Sequence, residues 1–180
     1  MYRQLINLFI ASSERFVESQ KALILSGVSE RCLCGSLMTY VRYALDQSEF
    51  RHYHADIEYN RNFDGRIKTI IDERSTVINI TCDLIVHSRG ENTDQDNLIA
   101  IEMKKDTHTE EVKNNDRKRL RALTKGRDDA NTYSADGRTL PENVCGYLIG
   151  VYYEICIAQR IIKIEYYREG EYKSSFTRRF

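Results

Sequence analysis

Apolar residues near the start of the chain recur at helical spacing and predict two helices. The residues at near-heptad steps, which share one face of the first helix, are Leu5, Phe9, Phe16 and Leu23. This helix is expected from about 2 to 25, and Ser26 and Gly27 end it. Ser29 is placed to cap a second helix from about 30 to 46, so the two segments form an N-terminal helical pair.

The middle of the chain shows short apolar runs that are typical of β-strands. Runs at about 50–60, 77–87 and 97–104 predict three strands, with a turn at 63–66 and a polar hairpin loop at 90–96. Both faces of the second and third strands are largely apolar. This pattern favours a central sheet that is covered on both sides.

A polar, basic segment from about 109 to 125 has helical character and precedes two more strands. These strands are expected at about 144–157 and 160–168, after an irregular stretch from 128 to 143. The element order is therefore helix, helix, three strands, helix and two strands. It predicts an α/β or α+β fold in which helices flank a central mixed β-sheet.

Composition sets the size of the domain and leaves its partners open. The 180 residues, of which 41% are hydrophobic, are enough for one domain with a real core. We expect that domain to span 29–180, with 1–28 as an additional helix that packs on it or joins two copies in a homodimer. Lys plus Arg and Asp plus Glu both number 27, so the bulk charge implies no particular partner.

The cysteine pattern argues against a zinc site and bears on the cellular compartment. Five cysteines are present, and the Cys32-x-Cys34 pair has no matching second pair. The odd number and the lack of a signal-peptide pattern predict reduced thiols in a cytoplasmic protein. No apolar run is long enough to cross a membrane, so no membrane partner is expected.

Two acids and a lysine stand at the ends of neighbouring predicted strands. Asp83 opens one strand, while Glu102 and Lys104 close the next and point to the same side because they are two residues apart. Other acid-x-Lys triplets occur, but only this one ends an apolar strand beside another acid-bearing strand. Asp83, Glu102 and the backbone carbonyl of Met103 are expected to bind Mg²⁺, or Mn²⁺ in its place. Lys104 is expected to orient the attacking water or to stabilise charge on a phosphodiester.

These motifs resemble the PD-(D/E)XK nuclease superfamily, and in particular a group of its small bacterial members. The segments that carry the resemblance are Glu58-Tyr59-Asn60-Arg61, Asp83-Leu84-Ile85-Val86-His87-Ser88-Arg89-Gly90 and Asn97-Leu98-Ile99-Ala100-Ile101-Glu102-Met103-Lys104-Lys105. The match covers about 29 to 125, and one departure is Cys82, where the superfamily usually has proline. The resemblance implies a restriction-endonuclease-like core with flanking helices. It also implies a magnesium-dependent nuclease whose helix acid corresponds to Glu30.

Four side chains around these motifs are further candidates, and each has a plainer alternative. Glu30 extends the apolar stripe of the second helix, which would point its side chain toward the protein, where it would complete the catalytic set. The alternative is that it only stabilises the first turn of the helix as an acid near the helix N-terminus. Glu58 is a further carboxylate candidate or a structural residue. His87 and Arg89 follow Asp83 on the same strand face, and they either reach a substrate phosphate or belong to strand-end packing.

The predicted helix at 109–125 carries the strongest local excess of positive charge. From Lys104 to Arg127 there are nine Lys or Arg residues and four Asp or Glu residues. A solvated helix face is one interpretation, and a track for a phosphate backbone is the other. The residues expected to bind nucleic acid in the second case are Lys105, Lys113, Arg117, Lys118 and Arg121.

The leading functional hypothesis is a magnesium-dependent nuclease that hydrolyses phosphodiester bonds in DNA, with RNA as the other substrate considered. The residues show no sign of sequence readout, so structure-specific or non-specific cleavage is expected. The alternative is a catalytically inactive module of the same fold that binds nucleic acid or a protein partner. A third hypothesis is an assembly protein that pairs through its first helix.

Overall fold

The computed structural model describes most of the chain. The described residues are 1–59, 69–71, 77–79, 81–92, 94–126 and 145–180. The predicted turn at 63–66 and the predicted irregular stretch at 128–143 lie outside them. The described residues form four helices and eight strands, arranged as a mixed α/β fold around a six-stranded open mixed sheet.

Local signals explain where the helices begin and end. The helices are α1 (Tyr2–Ser19), α2 (Lys21–Leu25), α3 (Glu30–Asp46) and α4 (Glu110–Leu123). The predicted helix at 2–25 is thus divided in two, because Gln20 leaves helical geometry at φ −114° and ψ 21°. The prediction for α3 is confirmed, and the Ser29 hydroxyl caps it by accepting a hydrogen bond from the Cys32 amide at 3.3 Å. In the described part of the chain, no helix is long and apolar enough to cross a membrane.

Six strands form the large sheet, and two form a separate pair. The strands are β1 (His54–Ile57), β2 (Thr69–Ile71), β3 (Val77–Asn79), β4 (Leu84–His87), β5 (Asn97–Lys105), β6 (Ile149–Cys156), β7 (Ile161–Arg168) and β8 (Glu171–Arg179). The large sheet has the order β1-β4-β5-β6-β7-β8, while β2 pairs with β3. Among these strands β5 and β6 run parallel, and the other neighbours are antiparallel. A parallel pair needs a crossover connection, and α4 lies in that connection.

The strand predictions need three corrections. The predicted strand at 77–87 is two strands in different sheets, since β3 pairs with β2 whereas β4 lies between β1 and β5. The predicted strand at 50–60 shrinks to β1, because the Tyr53 amide and the Phe50 carbonyl close a turn with a hydrogen bond of 2.9 Å. The strands β2 and β8 are missing from the prediction. The side chains of β8 are almost all exposed, so its sequence lacks the apolar alternation that indicates a strand.

Helices α1 and α3 cover one face of the large sheet, and α4 covers the other. The prediction of a sheet covered on both sides is therefore confirmed. On the first face, Leu5, Phe9 and Phe16 of α1 are fully buried. The Phe9 ring meets the rings of Tyr153 and Tyr166 edge-on, with centroids 6.2 and 6.4 Å away. The apolar side of α1 thus packs within its own chain.

The C-terminal end of α4 lies very close to the second face of the sheet at Gly150. A Cβ atom at this position would come within 3.0 Å of Thr124 Cγ2 and 3.1 Å of Tyr167 Cβ. The absence of a side chain on Gly150 is therefore what lets α4 approach β6 this closely. This contact fixes the depth at which the helix lies on the sheet.

Candidate active site

The hairpin of β4 and β5 brings the predicted acids and the lysine to one place. Asp83 stands directly before β4, and its Oδ2 accepts a hydrogen bond from the Met103 amide of β5 at 2.8 Å. The Lys104 Nζ lies 3.8 Å from the same oxygen. Glu102 and Lys104 both contact α4, so they share one side of β5 as their spacing predicts.

Glu30, in the first turn of α3, joins this group. Its Oε2 lies 3.5 Å from Lys104 Nζ, and its Oε1 accepts a hydrogen bond from the Lys105 amide at 2.8 Å. The Nε2 atom of His108, which sequence reasoning missed, lies 2.8 Å from Glu30 Oε1. Because Ser29 caps α3, the helix begins at the point where its first acid can reach the end of β5.

Two residues of α4 that sequence reasoning also missed complete the cluster. The Asp116 Oδ2 lies 3.2 Å from Lys104 Nζ, and Arg119 Nε donates a hydrogen bond to Glu102 Oε1 at 2.9 Å. Arg119 also pairs with Asp116, one turn away on the same helix. One available signal was the spacing of four residues from Asp116 to the buried Leu120, which places the acid on the inward side of α4.

Glu102 is the least exposed acid of the cluster, with 1% of its side chain accessible. Its Oε1 accepts the Arg119 hydrogen bond and lies 3.6 Å from the Cys82 thiol, whereas its Oε2 has no hydrogen-bond partner among the described residues. Burial raises the pKa of Glu102 to about 8, while Arg119 opposes the rise and Asp83 adds to it. A buried carboxylate oxygen without a partner is costly, so this atom is a favourable place for a cation.

The cluster holds more negative than positive charge. Its members are the acids Glu30, Asp83, Glu102 and Asp116 and the cations Lys104 and Arg119. Among these six groups, four carboxyls against two cations leave two negative charges when Glu102 is ionised and one when it is protonated. A bound cation would therefore favour the ionised form of Glu102.

The titration of Asp83 and Lys104 follows from the same surroundings. Burial raises the pKa of Asp83, although the Lys104 charge and the Met103 amide oppose the rise. Burial alone would lower the pKa of Lys104, but the charges of Asp83, Asp116 and Glu30 raise it above its ordinary value. The lysine is therefore a permanent ammonium at neutral pH.

A cleft of about 260 Å³ opens beside the acids. The residues that line it are Ser29, Glu30, Arg31, Cys34, Glu58 and Asp83. Glu58, the further carboxylate candidate, pairs with Arg31 at 3.2 Å within this lining. Both side chains are well exposed, so their pair contributes little to stability and leaves either charge accessible to a ligand.

The structure does not bring His87 and Arg89 to the acids. His87 is the last residue of β4 and lies roughly 13 Å along the strand from Asp83 at ~3.3 Å per residue, and Arg89 follows it by two residues. The His87 Nε2 lies 3.0 Å from Asp56 Oδ2, and Arg89 donates hydrogen bonds to the two oxygens of Asp56 at 2.6 and 2.8 Å. Their side chains form an ion-pair cluster with an acid of β1. This arrangement corresponds to strand-end packing, the alternative to contact with a substrate phosphate.

Asp56 gives the fold a pH-dependent contribution that can be measured. Burial by itself would raise its pKa, but the hydrogen bonds from Arg89 and His87 outweigh burial and lower the pKa below its ordinary value. Such a carboxyl stabilises the fold above its unfolded pKa of about 4, and this contribution is lost as the pH falls through the folded pKa. In urea unfolding, Asp56→Asn should be less stable than wild type near neutral pH, with a difference that shrinks below pH about 4. A difference that stays constant through that range would contradict this assignment.

Two of the cations predicted to bind nucleic acid face inward. Lys113 is buried and lies 3.0 Å from Glu154. Arg117 binds Glu165 at 2.9 Å and stacks over the Tyr152 ring at 4.3 Å from its centroid. Both cations are engaged within the fold and are poorly placed to contact a phosphate backbone.

The other three predicted cations remain closer to solvent. Lys118 is exposed on the outer side of α4. Arg121 is half-buried over the Tyr167 ring, and Lys105 donates a hydrogen bond from its Nζ to the Gly27 carbonyl at 2.9 Å. The exposed Lys118 is therefore the member of the set that is best placed for an external phosphate.

The acids fit the ligand requirement of magnesium, although the described residues contain no group of three or more His, Cys, Asp or Glu side chains arranged as a metal site. Mg²⁺ is commonly bound through one or two carboxylates, while water and phosphate oxygens fill its other positions. Asp83 and the unpaired Oε2 of Glu102 meet that requirement. The Met103 carbonyl, the third predicted ligand, accepts a hydrogen bond from Lys104 at 3.2 Å.

Comparison with known proteins identifies no relative of this chain. No protein-family model matches it, and no curated protein or solved structure matches it. Its resemblance to the PD-(D/E)XK superfamily stays a prediction, and its function is argued from the side chains at the end of β5.

Proposed function

We propose that this protein is a metal-dependent nuclease of the PD-(D/E)XK type, with Mg²⁺ as cofactor and DNA as substrate. The observation that carries the proposal is the cluster at the end of β5, where four carboxylates face two cations beside an open cleft. An acid before one strand and a Glu-x-Lys motif at the end of the next form the arrangement that the resemblance implies. The mixed sheet between α3 and α4 supports a restriction-endonuclease-like core.

Asp83 and Glu102 are the residues that would hold the metal ion. Burial raises the pKa of both carboxyl groups, and the charge of Asp83 raises that of Glu102 further, which is a condition that a divalent cation relieves. When bound, Mg²⁺, or Mn²⁺ in its place, supplies Lewis-acid stabilisation of a reacting phosphate and lowers the pKa of a bound water. Arg119 holds one oxygen of Glu102, and the other oxygen remains for this role.

Lys104 supplies a fixed positive charge at the reacting centre. Its ammonium is shared among Asp83, Glu30 and Asp116, so it is held in place and stays protonated. A fixed cation of this kind orients the attacking water or stabilises the charge that develops on the phosphate. Glu30 completes the set, because it binds both Lys104 and the Lys105 amide and so ties α3 to the end of β5.

The accessible cations Lys105 and Lys118 lie on β5 and α4, the elements that carry the cluster. They are our candidates for contacts with the phosphate backbone. Backbone contacts position a nucleic acid without reading its sequence. We therefore propose structure-specific or non-specific cleavage.

A cleavage panel tests the proposal. Purified protein is incubated with linear, circular, single-stranded and branched DNA, and with RNA, in the presence and absence of Mg²⁺ or Mn²⁺. Wild type is expected to cleave DNA only when metal is present. Asp83→Asn should be inactive, because it removes a ligand charge while keeping an acceptor for the Met103 amide. Asp56→Asn is the matched control that should cleave normally, since it neutralises an ion-paired strand acid away from the cluster.

The panel also separates the nuclease from the alternative of an inactive module. Binding of nucleic acid without cleavage in either metal would contradict the nuclease and support a binding module. Equal cleavage by wild type and Asp83→Asn would show that this cluster is not the active site.

A further inference from the structure

Asp116 and Arg119 are charged residues on the inner side of α4, and the packing of the helix does not explain them. One turn further on, the same side of α4 carries Leu120 and Leu123, which are buried against the sheet as apolar side chains. Replacing a buried ion pair by apolar residues is often neutral or stabilising, so stability alone is a weak reason for charges at these positions. Their contacts with the cluster suggest a different role.

Arg119 acts on Glu102. Its Nε donates to Glu102 Oε1 at 2.9 Å, and its guanidinium also pairs with Asp116 on its own helix. Arg119 thus fixes one oxygen of a buried carboxylate, while Oε2 has no partner among the described side chains. A planar guanidinium held by two acids sets the direction of a carboxylate more firmly than a flexible ammonium does.

Asp116 acts on Lys104. Of the three carboxylates around the ammonium, Asp116 is the nearest, at 3.2 Å compared with 3.5 Å for Glu30 and 3.8 Å for Asp83. It is also the least exposed of the three, at 2% of its side chain. Among the three contacts that hold the ammonium, the one from α4 is therefore the shortest and the most buried.

We propose that Asp116 and Arg119 are the positioning residues of this site. Arg119 fixes Oε1 of Glu102 and so leaves Oε2 available to a divalent cation, and Asp116 holds the Lys104 ammonium in place. The two residues lie one turn apart on α4, so a single helix aligns both groups. This inference rests on the proposed function, because it requires that the cluster bind a divalent cation. Both residues act through their partners and do not touch the substrate.

Metal binding by the intact protein tests the role of Arg119 without relying on cleavage. Mn²⁺ titrations followed by electron paramagnetic resonance give the dissociation constants of wild type, Arg119→Ala and Arg119→Lys. We expect Arg119→Ala to weaken Mn²⁺ binding by about 10–100-fold, as for other residues that orient metal ligands, and Arg119→Lys to recover part of the loss. Arg178→Ala is the matched control, because Arg178 is similarly exposed, 28% against 31%, and also pairs with two acids, Glu14 and Glu18.

Kinetics test the role of Asp116. Asp116→Asn keeps the shape of the side chain but weakens its hold on the Lys104 ammonium. We expect kcat at saturating Mg²⁺ and DNA to fall about 10-fold or more. The Mn²⁺ dissociation constant should change by less than about threefold, because the amide oxygen of the asparagine still accepts a hydrogen bond from Arg119. A merely structural role would not produce this split between turnover and metal affinity, so an unchanged kcat would remove Asp116 from the proposal.

The outcomes for Arg119 separate this inference from the proposed function. If wild type binds no Mn²⁺, the proposed function fails and the inference fails with it. If wild type binds Mn²⁺ and a folded Arg119→Ala binds it equally tightly, the inference is overturned while the proposed function stands. If circular dichroism shows that Arg119→Ala is unfolded, Arg119→Gln takes its place because it retains more of the side-chain volume. Binding of Mn²⁺ by Arg119→Gln as tightly as by wild type would then overturn the inference.

Discussion

Replacing Lys104 by alanine is expected to lower kcat for DNA cleavage by about 100-fold or more, as the removal of one preorganised electrostatic group does in other enzymes. The ammonium is held among three carboxylates and stays charged, so its contribution is already in place before the reaction begins. The KM for DNA should change little, because Lys104 lies within the cluster rather than on the exposed side of α4. Single-turnover cleavage at saturating Mg²⁺ measures the effect.

Two companion variants make this prediction specific. Lys104→Arg keeps the charge but introduces a larger planar group, so we expect its activity to remain well below that of wild type. Lys163→Ala removes a half-exposed lysine that lies 3.8 Å from Glu154, and it should leave cleavage unchanged. A wild-type kcat in Lys104→Ala would exclude Lys104 from the mechanism.

Lys113→Ala is expected to reduce the free energy of unfolding by about 3 kcal/mol, near the lower end of the cost of breaking a buried ion pair. Lys113 and Glu154 are 6% and 4% exposed and lie 3.0 Å apart, so the substitution deprives a buried carboxylate of its nearest cation. Lys163 and Arg117, at 3.8 and 3.9 Å from Glu154, offset part of the loss. Urea unfolding followed by circular dichroism measures the change.

Lys118→Ala is the contrasting variant on the same helix. Because Lys118 is exposed, its loss should change stability by less than about 0.5 kcal/mol. Its DNA affinity should fall, and the slope of log K against log salt should become shallower by about one. If Lys113→Ala instead weakened DNA binding and left stability unchanged, the assignment of Lys113 to an ion pair inside the fold would be contradicted.

Features that depend on neighbouring residues could be predicted from the sequence. Ser29 and the apolar stripe that follows it indicate a helix at 30–46, and α3 has those bounds and that cap. The spacing of Glu102 and Lys104 likewise places both side chains on one side of β5. Helix caps and strand alternation act within a few residues, so no knowledge of distant contacts was required.

Contacts between distant segments could not be predicted in this way. The pairing of Asp116 with Lys104 depends on where α4 crosses from β5 to β6, and the local sequence of Asp116 resembles other acid-x-Lys triplets. His87 follows Asp83 on one strand face, but it contacts Asp56, which lies diagonally across β1 opposite Ile85. These partners are set by strand order and helix placement, which local patterns do not determine.

The charge count over 104–127 shows the same limit. It identifies α4 as the most basic segment, but it cannot tell which cations face the sheet. Lys113 and Arg117 bind the buried or half-buried acids of β6 and β7, whereas Lys118 faces solvent. The direction of each side chain follows from the rotation of the helix about its axis, which the packing of Leu120 and Leu123 sets.

Gly150 makes the alignment of the charged cluster sensitive to a residue that carries no functional group. The helix α4 has about four turns. Its C-terminal end packs on Gly150, and its earlier turns carry Asp116 and Arg119. A methyl group at Gly150 would press on Thr124 and Tyr167, so α4 would have to shift slightly away from the sheet and carry Asp116 and Arg119 with it. Steric change at this one contact would then lower activity while every ionisable group is retained.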